Sequence, residues 1–187
     1  MDLRVAPAKL DRIISPYLLF FLKRYAASLS LENRVLDLGS GKWRHSNFMY
    51  RIGFKNVSCI DRYSFPKMPD YITFIEHNLE NKIEFLEQKF DIIIATFLFM
   101  FIENKRLLVN EITRLSAPNA YFICTLNQKK TSAFRPALSF GKATTPDEII
   151  TLLDPALWEI MHRNKDSFIA KRREGMAYGE GQTREKE

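Results

Sequence analysis

Scarcity sets the first limits on this chain of 187 residues. It has only two cysteines, Cys59 and Cys124, far apart in sequence and each inside an apolar run, which is a poor basis for a disulfide framework or a metal cluster. Buried free thiols are expected instead, and no metal site. Long apolar runs are also missing. The longest, Ile92 to Ile102, is too short to span a bilayer, and the run Tyr17 to Leu22 is cut off by Lys23-Arg24 without a signal-peptide layout. A cytoplasmic protein with no membrane span is therefore expected. No internal repeat and no second domain can be traced, and acids vanish altogether between Glu111 and Asp147. In that interval Arg114, Lys129, Lys130, Arg135 and Lys142 supply five of the 28 positive charges of a chain whose net charge is +6.

What is present is ordinary for one globular domain with a sizeable core: 46% apolar and 27% charged residues. From Lys171 onward apolar periodicity gives way to glycine and charge, so a flexible tail is expected over residues 175–187. An N-terminal helical cap is expected over residues 1–30, with Pro16 interrupting any single long helix, and the main domain over 31–174.

The most specific signal is Val35-Leu36-Asp37-Leu38-Gly39-Ser40-Gly41, followed by a second apolar run that ends in an acid, Cys59-Ile60-Asp61. An apolar run stopping at a glycine turn before a helical pattern opens a nucleotide-binding βα unit, and an acid about 20 residues on is placed to bond a ribose. Asp37 narrows the ligand. A diphosphate needs the turn amides and helix N-terminus free of competing negative charge, whereas an acid two residues ahead of the first glycine suits a ligand with a cationic end. The third glycine of the dinucleotide fingerprint is also missing, since Arg44 stands there.

Strands are predicted at 34–38, 57–60, 71–75, 90–96 and 120–126, with two closing strands near 157–162 and 166–171. Helical patterns begin near Trp43, Lys82 and Lys105, and Thr145-Pro146 opens a further helix with a cap and a first-turn proline. This alternation predicts an α/β fold: a seven-stranded, mostly parallel, Rossmann-like sheet with helices on both faces. In such sheets ligands sit beyond the carboxyl ends of the strands, which the basic loop at 127–143 would border.

Over roughly residues 15–172 the chain resembles the class I methyltransferases that use S-adenosylmethionine (SAM). Asp37-Leu38-Gly39-Ser40-Gly41-Lys42-Trp43-Arg44-His45 resembles their first motif, Asp61 the acid closing the second strand, His77-Asn78-Leu79-Glu80-Asn81 the third motif, and Phe90 to Thr96 the fourth. The opening with Arg44-His45, followed by Arg51-Ile52-Gly53-Phe54, is most similar to the tellurite-resistance and type 11 small-molecule branches. The resemblance implies an antiparallel last strand and SAM as cofactor. It also implies a cofactor site made of Asp37, Gly39, Ser40, Gly41, Arg44, Asp61, Arg62, Asn78, Leu79, Ala95 and Thr96. Asp37 would favour the ligand's ammonium, the plainer alternative being an acid that only caps a loop. Asp61 would receive the ribose hydroxyls, Asn78 and Leu79 would meet the adenine with Arg62 or Tyr63 on its other face, and Arg44 would pair the carboxylate or stay exposed.

Two departures stand out: Trp43 replaces a small residue, either lining the pocket or packing the helix start against the sheet, and Asn78 stands where Asp is usual. No compact signature announces a catalytic residue, because a sulfonium is already activated and the protein mainly aligns donor and acceptor. His45 reads as a packing histidine before a general base. Of Phe97, Phe99 and Phe101, core packing is favoured over lining an acceptor pocket. Ala95-Thr96-Phe97-Leu98 lacks the Pro-Pro-aromatic mark of exocyclic amine methylation. The implied activity is methyl transfer by in-line displacement to a small or medium acceptor, anionic if Lys129, Lys130 and Arg135 hold it. One alternative is an RNA or protein acceptor using the basic loop with Arg4, Lys9 and Arg12; another is a silent SAM-binding scaffold or partner subunit.

Overall fold

The computed structural model describes residues 14–64, 68–126 and 144–174. Seven strands form one sheet: β1 (Arg34–Leu38), β2 (Asn56–Asp61), β3 (Thr73–Glu76), β4 (Phe90–Thr96), β5 (Ser116–Thr125), β6 (Trp158–Arg163) and β7 (Ser167–Arg172). Their spatial order is β3-β2-β1-β4-β5-β7-β6. The pairs from β3 through β5 are parallel, while β7 runs antiparallel to both β5 and β6. The chain order reverses between β1 and β4, which opens the crevice where a sheet of this kind binds ligands. The predicted fold class, including the antiparallel last strand, is the observed one.

Consecutive apolar residues in β1 (Val35-Leu36) and β4 (Ile92 to Ala95) reflect a sheet covered on both faces. Leu36, Leu38, Ile93 and Ala95 join one core with Leu108, Ile112 and Leu115 of α3 (Lys105–Leu115) and Ile149 of α4 (Pro146–Ile150). Val35, Ile92 and Ile94 join the other, with Leu18, Phe21 and Leu22 of α1 (Pro16–Tyr25) and Phe48 and Met49 of α2 (Arg44–Arg51). Successive strand residues thus serve opposite layers, as a pleat of period two requires.

Pro16 stands at the start of α1, where its missing N–H costs nothing, and the residues before 14 lie outside those described. Two expectations need correction. The helix predicted from Lys82 is absent, and residues 82–89 run as turns between β3 and β4. Side chains of α3 hold that segment: Ile83 N donates to Glu111 Oε2 (2.9 Å), and the Arg114 guanidinium donates to Leu86 O (2.9 Å) and Ile83 O (2.8 Å). Backbone groups satisfied from outside no longer need an i to i−4 ladder. Finally, β5 begins at Ser116, four residues before the predicted strand, with Asn119 at φ 64° and a register shift against β4 absorbing the Pro118 region. Among the described residues no helix is long and apolar enough to cross a membrane.

Candidate functional site: a carboxylate-flanked glycine turn

The turn after β1 is built by close approach. Gly39 has φ +67°, and a Cβ there would lie 2.7 Å from Leu98 Cδ1, so glycine is required on two counts. Gly41 has φ +53° but open space around it. Gly39 N and Ser40 N both donate to Ile60 O (2.8 and 3.2 Å), and Gly41 N donates to Asp61 Oδ2 (2.8 Å). The amides that would neutralise a diphosphate are therefore engaged by the end of β2, in keeping with a ligand that brings no phosphate to this turn.

Asp37 is almost fully buried, 1% exposed, and its Oδ2 accepts from both Ser46 N (3.1 Å) and Ser46 Oγ (2.6 Å). Ser46 lies in the first turn of α2, so the strand acid caps that helix, the contact of the plainer alternative. The carboxyl is nonetheless costly. Burial pushes its pKa up to about 6 and the Asp61 charge adds to this, while the Ser46 bonds and Arg44 pull the other way. The two acids thus share one neighbourhood. Asp61 holds main-chain donors with both oxygens, Gly41 N on Oδ2 and Tyr63 N (3.2 Å) on Oδ1, and each oxygen keeps a further lone pair for a ligand hydroxyl.

His77 N donates to Asp61 O (2.9 Å), which ties the Asn78 segment to the same corner. Asn78 is exposed and its Oδ1 accepts Glu80 N (3.1 Å); the Leu79 side chain is buried in the α3-side core, which leaves only its backbone for a ligand. Arg44 is exposed at the start of α2, and Arg62 is exposed with its guanidinium 4.8 Å over the Tyr63 ring. Ala95 is fully buried beside Leu38, and Thr96 is partly exposed at the end of β4. Asp37, Gly39, Ser40, Gly41 and Asp61 are therefore brought together, with the Asn78 loop beside them.

Trp43 is partly exposed and precedes α2 with a left-handed φ of 45°. His45 is buried, and its Nε2 accepts Ser15 N–H (3.3 Å). Burial and the neighbouring Arg44 push its pKa down to about 4, so it is a neutral packing histidine with its proton on Nδ1. The phenylalanine series splits: Phe99 is core, whereas Phe97 and Phe101 are 41% and 43% exposed.

A second feature has no counterpart in the sequence motifs. A cavity of about 590 Å³ opens between the first turns of α1, the ends of β4 and β5 and the β6–β7 turn, with Tyr17, Phe20, Phe97, Thr125, His162 and Asp166 on its wall. α1 and the stretch after Thr96 both contribute to it. The basic loop 127–143 with Lys129, Lys130 and Arg135 lies outside the described residues, as do Arg4, Lys9, Arg12 and the 175–187 tail. Tyr17 and His162 are 145 residues apart, and no periodicity links them.

A Rossmann-like sheet with an acid-flanked glycine turn at its switch point defines a methyltransferase-type nucleoside site. The family described as "Methyltransferase domain" matches residues 9–164, and the chain belongs to it. No curated protein sequence matches. Among solved structures, a SAM-dependent methyltransferase from Methanosarcina mazei is 17% identical, with a TM-score of 0.63 over 87% of this chain and 99% of that one. A putative SAM-dependent methyltransferase from Listeria monocytogenes is 13% identical, with a TM-score of 0.59 over 84% of this chain and 100% of that one. An O-methyltransferase family protein from Burkholderia thailandensis is 16% identical, with a TM-score of 0.58 over 84% of this chain; the chain spans only 56% of its length. These likenesses speak for the fold and prefer no branch within it.

The residues fit an adenosyl sulfonium. Ser40 Oγ is buried without a hydrogen-bond partner, an unmet polar group in the turn itself. The Cys59 thiol close by is too weak a partner to meet that need, and burial pushes it up to about 11. Two acids in one corner, one of them buried at a cost, suit a ligand with cationic groups.

Proposed function

We propose that this chain is a SAM-dependent methyltransferase that acts on an acceptor of small or medium size. The donor would lie across the ends of β1 and β2, its methionine end at Gly39 to Gly41 near Asp37, its ribose on Asp61 and its adenine against the Asn78–Leu79 backbone. When bound, SAM supplies an electrophilic methyl on a sulfonium. The chain's part is to orient donor and acceptor in line and to exclude water.

One observation carries the acceptor assignment: the cavity adjoins the donor corner along the same sheet edge. Thr96 of β4 is in register with Thr125 of β5, which lines the cavity. Ser15, also on its wall, donates its N–H to His45 in the first turn of α2 and shares a hydroxyl contact of 3.1 Å with Thr125. A volume near 590 Å³ is that of a small-molecule pocket. The RNA, protein and anionic-acceptor readings rest on cations outside the described residues and are not carried forward.

The test is thermal unfolding with saturating SAM or its demethylated product, followed by incubation with methyl-labelled SAM and size-fractionated cell extract. A raised melting temperature and label in the small-molecule fraction are expected. An unchanged melting temperature with both ligands refutes the donor assignment, and label confined to macromolecules refutes the acceptor class.

A further inference from the structure

The cavity contains a pair that the donor corner does not use. Tyr17 Oη and His162 Nδ1 lie 2.5 Å apart, joining α1 to the end of β6. The Phe20 ring sits against both, with centroids 4.5 Å from His162 and 5.7 Å from Tyr17, the latter stacked at 24°. Three rings thus form one wall, and Phe97 adds a fourth to the lining. Flat π faces around a small-molecule volume favour a flat ring as occupant. Tyr17 is buried deeply enough that its phenol stays protonated, so it serves the imidazole as a neutral hydrogen-bond partner.

We infer that the cavity takes an aromatic acceptor bearing a hydroxyl, that His162 is the base removing the hydroxyl proton, and that Tyr17 is the residue positioning the imidazole. This rests on the methyltransferase reading above. A neutral hydroxyl is a poor nucleophile, and a base held at its proton is the ordinary remedy. Tyr17 Oη accepts Nδ1–H, which leaves the lone pair on Nε2. Nε2 takes the proton as the O–H bond breaks; the oxygen's electron pair forms the bond to the methyl carbon. The carbon–sulfur bond breaks with its pair left on sulfur, which passes from sulfonium to neutral thioether. The imidazolium then returns its proton to solvent. Among the described residues, the other ionisable groups on the cavity wall are Tyr17 from α1 and Lys165 and Asp166 from the β6–β7 turn.

The experiment compares two acceptors, catechol and 4-nitrophenol, with labelled SAM; the second is a far stronger acid, already partly ionised at neutral pH, and needs less help from a base. His162→Gln is expected to lower kcat/KM for catechol by about 100-fold more than for 4-nitrophenol. Tyr17→Phe is expected to lower kcat more than it changes KM and to move the acidic limb of the catechol pH profile. Nitrogen-15 NMR of the cofactor-free protein reads the tautomer without turnover: Nδ1–H in the parent, a mixture in Tyr17→Phe. Equal losses for both acceptors in His162→Gln, or a parent His162 protonated on Nε2, overturn the inference. So does SAM binding without methylation of either hydroxyarene, which leaves the methyltransferase reading standing. Absence of SAM binding removes that reading and this one with it.

Discussion

Asp37→Asn separates what the donor corner costs from what it does. Burial raises the Asp37 pKa from 3.8 to about 6, so the folded state holds its proton more tightly than the unfolded chain. Stability is then fully present below about pH 4 and is lost as pH rises through 6. At 1.36 kcal/mol per pKa unit, the ionised carboxylate costs the fold at most roughly 3 kcal/mol at pH 7. Asparagine keeps an oxygen that can accept both Ser46 donors, so most of the cap survives while the charge is removed. The variant should be more stable than the parent at pH 7 by about 1–3 kcal/mol, or roughly 3–10 °C in Tm for a chain of this size. The gap should shrink towards pH 4. Differential scanning calorimetry from pH 4 to 8 reads it. SAM affinity should fall in the same variant, and in the parent it should weaken below pH 6 as Asp37 protonates and ceases to attract the ammonium. A variant less stable than the parent at pH 7, or a gap independent of pH, refutes the argument that a charge is kept here for a ligand.

Gly39→Ala should cost about 2–4 kcal/mol, from the left-handed backbone plus the approach to Leu98, against about 1 kcal/mol for Gly41→Ala, which meets open space. Urea unfolding distinguishes them, and equal losses would show that the Leu98 contact is not what fixes the turn. Glu111→Ala strips partners from Ile83 N and Arg114 and should cost about 2–3 kcal/mol, with faster hydrogen exchange over residues 82–89; unchanged exchange there would mean the segment holds itself. Burial pushes the thiols of Cys59 and Cys124 upward, to about 11 for the first, so iodoacetamide should label neither in the native protein and both in urea; rapid native labelling would contradict their packing.

The strands were legible because burial on both faces writes itself as unbroken apolar runs, as in Ile92 to Ala95, and the glycine turn because few residues accept its backbone. The segment 82–89 was misread for a physical reason. Ile83 and Leu86 are three apart and mimic one helical turn, but the partners of their backbone groups come from Glu111 and Arg114, about 28 residues later. Asp37 was legible as an acid in an apolar strand, and its bond to Ser46 was not, since nothing local says which way a first-turn serine points. The cavity was beyond sequence reasoning altogether. Its wall joins α1 to the end of β6 through Tyr17 and His162, and only the antiparallel placement of β7 between β5 and β6 makes them neighbours.

Backbone strain supplies an independent argument that this edge of the sheet is the working one. Among the described residues three that are not glycine have positive φ: Trp43 at 45°, Phe97 at 58° and Asn119 at 64°. Asn119 needs no special reason, because asparagine tolerates the left-handed region in turns. Trp43 and Phe97 do, since a bulky side chain there costs free energy that glycine would spare. Both follow strands at the switch point, one after β1 and one after β4, and Phe97 N donates to Thr125 O (2.7 Å) while its ring stands on the cavity wall. Strained aromatics at the mouths of two adjacent strands, beside a buried acid with a raised pKa, place the chain's conformational and electrostatic costs where donor and acceptor would meet.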